Sequence, residues 1–454
     1  MHPHLRRYFF VLVLFLLAPA IGSAQTPATP AQIARIDQVA RYYVEKGDFR
    51  GTVLVAQGDR VVFDKAYGFA NEEWQVANTP DTKFRLGSIT KQFTATCILL
   101  LEERGKLKTS DLLKQYMTDA PPAWDKITIF HLLTHTSGIP NFTSFPDYQK
   151  LQSQPTTPEE LVARFRSKPL DFEPGTKYSY SNSGYEVLGW LIEKVSGQKY
   201  ADFLEQNIFV PLGMRDSGYD DATPIIAHRA SGYQRDGSKL ANAAFVDMTI
   251  PYSAGSLYST THDLLIWEQG LFGGKVLKPE SLKKMTTPFL NNYAFGLGVR
   301  TANGRTEISH SGGINGFNTS MRYWPEEKLA VIALANQNGL SPDLISSAAA
   351  KVIHGDKVIL PSERKQVSVA PDVLKAYVGT YEVTPTLSLN ITLEGTQLMA
   401  QAGNQPKNAI FPESATSFFA KDNDAQIEFV KNEKGEVTGL VLSQNGREMK
   451  ATKK

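Results

Sequence analysis

Strand-like sequence sits at the two ends of the segment from Ile33 to Ile353, with helical sequence between, and no other feature restricts the fold of this chain so strongly. Gly51 to Ala56 and Arg60 to Gly68 read as the strands of a hairpin turning at Gly58-Asp59. The sheet pattern returns only from Phe295 to Val299 and from Thr319 to Ala335. A helical stretch near Ile33 to Lys46 precedes the hairpin, and Leu99-Leu100-Leu101, Leu112-Leu113 and Val187 to Val195 supply apolar helical faces in between. Strands from both ends enclosing helices suit an α+β architecture: one antiparallel sheet flanked by helices, with a helical insertion.

A different pattern begins after Pro361-Ser362-Glu363-Arg364-Lys365, a polar stretch without periodicity. Leu387, Leu389, Ile391 and Leu393 alternate strictly, and Ile427, Phe429, Val437, Leu440 and Leu442 continue the theme. Glu394-Gly395, Lys434-Gly435 and Asn445-Gly446 read as hairpin turns. The expected layout is a main domain over 25–360, a linker over 361–370 and a small all-β barrel or sandwich over 371–454.

The first residues belong to neither unit. Arg6 and Arg7 precede an apolar run from Tyr8 to Ala18, and Gly22-Ser23-Ala24 offers small residues for cleavage before Gln25. This reads as a secretory signal peptide over 1–24, too short for a membrane span, and predicts a periplasmic or secreted product without stable membrane insertion. Its removal takes away two arginines and no acids, so the formal charge of +2 falls to zero. A neutral chain without a like-charge block does not suit nucleic acid. The single cysteine, Cys97, permits no internal disulfide, so the 42% of hydrophobic residues must supply stable cores unaided.

The chemistry is concentrated in short motifs. Ser88-Ile89-Thr90-Lys91 follows a glycine and opens a helix-forming run from Gln92 to Glu103. Residues i and i+3 share a helical face, so the Lys91 amine can reach the Ser88 hydroxyl, and unpaired N–H groups at a helix start favour an oxyanion. Ser-x-x-Lys also occurs at Ser196/Lys199, Ser281/Lys284 and Ser362/Lys365, where surface positions in helix ends or loops explain it; context selects Ser88. Tyr180-Ser181-Asn182 lies in a loop after the Pro174-Gly175 turn, before a helical pattern resuming at Val187. A phenol there can exchange a proton if a nearby cation lowers its pKa, and Asn182 can donate to a substrate amide oxygen; ring packing is the plainer role for such a loop. His310-Ser311-Gly312-Gly313 brings a glycine-rich, strand-flanked backbone that a substrate can approach.

Together these residues resemble the penicillin-recognising serine hydrolases of the class C β-lactamase, D-alanyl-D-alanine carboxypeptidase and serine esterase type. The likeness runs from about Ile33 to Ile353 and includes Phe84 to Lys91, His131-Leu132-Leu133-Thr134-His135-Thr136-Ser137-Gly138-Ile139-Pro140, the Tyr180 block, Pro211-Leu212-Gly213-Met214 and His310-Ser311-Gly312. It implies a β-lactamase/transpeptidase-like fold, Ser88 as nucleophile, Lys91 as the cation that keeps Ser88 and Tyr180 reactive, and Tyr180 as proton shuttle. It further implies Asn182 on the substrate amide and an oxyanion hole from the Ser88 and Gly313 amides, with His310, Ser311, Gly312 and Gly313 along the substrate. Relatives that act on carboxylate-bearing β-lactams and peptides usually carry Lys where His310 stands, so the histidine points to the esterase-like and peptidase-like branches and away from efficient β-lactam hydrolysis. The C-terminal unit resembles the lipocalin-like β-domains appended to some members, with structural support its plainest role beside capping the cleft, binding a ligand or mediating assembly.

Other chemistries fit less well. His131 and His135 are spaced i, i+4, but no Glu or third ligand accompanies them, so no metal and no cofactor is expected, and a structural role for His135 is preferred. No Gly-x-Ser-x-Gly elbow is present, which excludes an α/β-hydrolase. The aromatic stretches Phe142 to Tyr148 and Phe245 to Tyr252 suit apolar acyl groups or simple loop packing. The expected partners are small-molecule ester, peptide or β-lactam substrates; the competing class is a non-catalytic binding protein retaining the fold. Oligomeric state is not legible.

Overall fold

A computed structural model describes residues 26–454 except 303, 385–386, 404, 422–424 and 445–446. The signal peptide and the Asn445-Gly446 turn expected from the sequence lie outside the described residues.

The first helix, Pro30–Glu45 (α1), starts where its sequence says it should. Thr29 caps it and exchanges hydrogen bonds with Gln32, and Pro30 occupies the first turn, where no N–H is needed. The hairpin follows as Gly51–Gln57 (β1) and Arg60–Tyr67 (β2), turning through Gly58 at φ 60°. Four strands complete the sheet: Gly298–Ala302 (β3), Arg305–Ile314 (β4), Phe317–Trp324 (β5) and Leu329–Ala335 (β6). The order is β3-β4-β5-β6-β1-β2, antiparallel throughout, and Gly51 pairs with Ala335. The strand expected at Phe295 therefore begins three residues later, and β4, which carries His310, was legible only as the flank of a glycine-rich segment. Phe295, Gly296 and Leu297 instead pack against the helix that carries Lys91: a Cβ on Gly296 would lie 2.6 Å from the Lys91 carbonyl.

Strict alternation splits β1 and β6 between two cores. Val53, Val55, Val331 and Ala333 join α1 and the helix Ser341–Ile353 on one face, whereas Leu54, Ala56, Ile332 and Leu334 join the large helical core on the other. That second core surrounds Thr90–Glu103 (α2), in which every residue from Thr90 to Leu101 is buried, and Asn182–Ser196 (α3). A helix buried all round is a rigid mount, because nothing on its surface is free to move into solvent. The helical insertion is the chain between β2 and β3.

Residues 379–453 form a closed barrel of eight strands, and its first strand pairs with its last, Tyr381 opposite Lys453. The barrel is filled. Tyr377, Tyr381, Phe418 and Phe429 are buried in its core, with the Tyr377 and Phe429 rings stacked at 4.0 Å. It packs behind the sheet on the α1 side, where Lys46 donates to the Lys421 carbonyl at 3.0 Å and Arg364 pairs with Glu413. The polar linker expected over 361–370 is anchored as far as Val367: Glu363 also pairs with Arg35, and the Val367 amide donates to the Pro412 carbonyl at 2.9 Å.

Candidate active site

Ser88 lies in a single 3-10 turn, Gly87–Ile89, that runs directly into α2. Gly87 has φ 55°, and a Cβ there would lie 2.8 Å from the Gly313 amide nitrogen. A Cβ on Gly312 would lie 1.9 Å from the Leu86 carbonyl oxygen. The glycines in both motifs are therefore steric requirements: they let β4 press against the turn that carries Ser88 and bring the Gly313 amide beside it.

Lys91 is fully buried, and its Nζ makes three contacts of 2.9 Å: to Ser88 Oγ, Asn182 Oδ1 and the Ala254 carbonyl oxygen. Burial lowers its pKa to about 7, opposed by the nearby Glu186. The contact set suits both protonation states. An ammonium donates to all three oxygens. A neutral amine has only two N–H groups, which Asn182 and Ala254 take because they can only accept, so its lone pair faces the Ser88 hydroxyl.

Tyr180 lies over the same point: Lys91 Nζ is 4.9 Å from its ring centroid, and its hydroxyl faces Ser88. Here the structure departs from the expectation that a cation holds the phenol pKa down. Burial raises it, the polar Ser88 only opposing, because the same desolvation that strips charge from Lys91 disfavours a phenolate. Asn182 begins α3, five residues before the helical pattern was legible, and its amide also donates to Thr143 Oγ1 at 3.2 Å.

His310, Ser311, Gly312 and Gly313 all lie on β4, in the stretch beyond its pairing with β3. His310 Nδ1 is 2.6 Å from the Ser311 carbonyl, a distance that requires a proton on Nδ1, so Nε2 accepts from the Tyr293 hydroxyl at 3.0 Å. Burial first, and the Lys91 charge second, push His310 down to about 4, so the ring is neutral at neutral pH.

A cavity of about 170 Å³ opens at Ser88, walled by Phe142, Thr143, Tyr148, Asn182, Glu186, Ala254, Gly313 and Asn315. None of its lining residues comes from the barrel. The Ala254 carbonyl and Glu186 were not legible in the sequence, the first because every residue carries a carbonyl, the second because a Glu in a helix reads as a solvent-facing residue. Glu186 is buried, with Oε1 unpartnered, and desolvation raises its pKa well above the usual carboxylate value. The other Ser-x-x-Lys copies lack this setting. Ser281 proves buried inside a helix, contrary to the expected surface position, because that helix packs it inward, while Lys284 reaches Glu102 at 2.8 Å. His131 is spent on a capping box with Thr128, and among the described residues no group of three His, Cys, Asp or Glu is placed to hold a metal.

The fold and this constellation define a serine hydrolase of the Ser-x-x-Lys kind. The family model described as Beta-lactamase matches residues 36–355, and the chain belongs to that family; a domain of unknown function matches 363–453. A penicillin-binding protein of Bacillus subtilis (strain 168) is 29% identical over 435 residues, covering 90% of this chain and 96% of its own length. Among solved structures, the octameric penicillin-binding protein homologue from Pyrococcus abyssi superposes with a TM-score of 0.66 at 25% identity, covering 92% of this chain and 100% of that one. A D-stereospecific amidohydrolase from Streptomyces does so with a TM-score of 0.59 at 25% identity, covering 67% of this chain and 94% of its own.

Proposed function

We propose that the protein is a secreted hydrolase that acylates Ser88 with esters or with amides of the D-amino-acid peptide type. The observation that carries this reading is the three-way coordination of Lys91, which commits a neutral amine's lone pair to the Ser88 proton. In acylation Ser88 Oγ gives its proton to Lys91 and bonds to the substrate carbonyl carbon. The carbonyl electron pair moves onto oxygen, facing the Ser88 and Gly313 amides. Collapse breaks the bond to the leaving group, which takes a proton from the Tyr180 phenol, and the Lys91 ammonium restores that proton. Water then attacks the acyl carbon and gives its proton to the same Lys91/Tyr180 pair, which passes it to Ser88 Oγ as the bond between Ser88 and the acyl carbon breaks. Asn182 holds the substrate amide.

Substrate class follows from charge. A neutral His310 offers no fixed cation to a carboxylate, which favours esters and uncharged amides over β-lactams, and the amidohydrolase likeness supports amides. His310→Lys should therefore raise kcat/KM for carboxylate-bearing substrates relative to neutral esters about tenfold, the equivalent of one good charge pairing; an unchanged ratio in paired assays would overturn this reading of the position.

The penicillin-binding relative and the apolar N-terminal run support export, and among the described residues no helix is long and apolar enough to cross a membrane. In this reading 1–24 is removed, 25–360 is catalytic, 361–370 is the linker, and the filled barrel of 371–454 is structural support. The test is intact-mass spectrometry after brief exposure to a fluorophosphonate, a short-chain aryl ester and a penicillin in parallel. A single adduct on Ser88 is expected, forming faster with the ester than with the penicillin. No adduct with any reagent would favour a binding protein that kept the fold.

A further inference from the structure

His135 follows the short helix Ile129–Leu133 in the left-handed region, at φ 56°, which few non-glycine residues adopt without a reason. That conformation turns its carbonyl and its ring toward one segment of chain. The Ser179 amide donates to the His135 carbonyl at 2.9 Å, and the Ser181 amide donates to His135 Nδ1 at 3.2 Å. These bonds bracket Tyr180, the residue between. The His135 ring also lies against the Tyr180 ring, with centroids 4.2 Å apart and planes at 40°. Backbone before, backbone after and ring face are thus all held by one residue, the first through its carbonyl and the other two through its side chain.

The rest of the environment makes this a dedicated support. Because Nδ1 accepts from an amide, the proton sits on Nε2, which is buried without a hydrogen-bond partner among the rings of Tyr178, Tyr185 and Tyr293. A metal role would require that nitrogen to meet further ligands, and no such cluster is present among the described residues. Burial first, and the Lys91 charge second, keep the imidazole neutral. A neutral ring adds no charge beside Lys91, so it can orient Tyr180 without opposing protonation of the amine.

We propose that His135 is the positioning residue for Tyr180, setting the phenol hydroxyl at Ser88 by pinning the amides on either side of it and stacking against its ring. The proposal rests on the serine-hydrolase reading above and adds a residue that acts only through Tyr180.

The test is a double-mutant cycle read as the rate of Ser88 labelling by a fluorophosphonate, followed by intact mass. His135→Ala removes the Nδ1 acceptor and the ring. In the otherwise wild-type protein it should slow labelling about 100-fold, the size expected when a reacting group is misplaced by about 1 Å. His135→Asn keeps an acceptor for the Ser181 amide and tolerates the left-handed backbone, so its loss should be nearer tenfold. In a Tyr180→Phe background, where no hydroxyl remains to position, both substitutions should change the rate less than about threefold. Equal losses in the two backgrounds would overturn the proposal, since a residue that merely stabilises the fold acts regardless of the hydroxyl. If His135→Ala does not fold, the His135→Asn pair completes the cycle alone. Absence of labelling in the wild-type protein would overturn the serine-hydrolase reading and this one with it, whereas wild-type labelling that His135→Ala and His135→Asn leave unchanged would overturn this proposal only.

Discussion

Ser88→Ala should lower turnover of any accepted ester by about 10⁴-fold or more while leaving the thermal unfolding curve close to that of the parent. The substitution deletes one oxygen from a residue that the fold needs only for its backbone turn. One contact to Lys91 is lost, which amounts to about 1 kcal/mol. No neighbour can take over as nucleophile. The Thr143 hydroxyl already accepts from Asn182, and Tyr180 is held as a neutral phenol by burial. Steady-state rates, with circular dichroism to confirm the fold, decide the matter, and turnover within tenfold of the parent would rule Ser88 out.

The second large effect belongs to Lys91. Lys91→Met preserves much of the buried volume but leaves Asn182 Oδ1 and the Ala254 carbonyl without their donor. We expect a loss of about 10³-fold in kcat/KM together with about 1–3 kcal/mol of stability for each acceptor left unmet. The parent enzyme's pH profile reports the same group. Catalysis needs the uncharged amine, and its pKa is lowered to about 7, so kcat/KM should rise about tenfold per pH unit below that value and level off above it. Neither nearby imidazole can produce this limb: His310 titrates near 4, and His135 is pushed well below the ordinary histidine value. An acid limb near 10, the ordinary lysine range, would mean that burial does not lower the Lys91 pKa and that the amine is charged at neutral pH.

The legible part of the site is the part built from side-chain spacing. Ser88 and Lys91 were legible because three residues make almost one helical turn, and Tyr180 and Asn182 because a turn signal isolates them. Harder to read were contacts made by groups common to every residue. The Ala254 carbonyl carries no sequence signature, and its reach to Lys91 depends on the short helix Tyr252–Gly255, whose first residue takes φ 28°. The protonation logic was also partly hidden. Spacing says that a cation can lie near a phenol, but only burial says that both are driven toward neutrality. Strand β4 escaped for a different reason: Arg305 to Ile314 is polar, rich in glycine, and buried chiefly at Ile308 and Gly312, so no alternation announces it. The barrel was the reverse case, with Leu389 and Ile391 inward on an alternating strand. Tyr377, which stacks on Phe429 in its core, precedes the first strand and so lies outside any alternation.

The pairing of Gly51 with Ala335 bears on the order in which the molecule can come into being. β1 lies between β2, its immediate successor, and β6, which is made only after the whole insertion and three further strands have been synthesised. Sheets closed by such distant partners form slowly, because a long loop must be ordered before the pairing rewards it. The hydrolytic centre has the same dependence, since its serine waits for a tyrosine, a carbonyl and a glycine edge supplied in succession by later chain. A nascent or truncated product ending before β4 therefore has Ser88 and Lys91 but no Gly313 amide beside them. The site is assembled only once the chain has passed the insertion and reached β4, with the whole barrel still to follow.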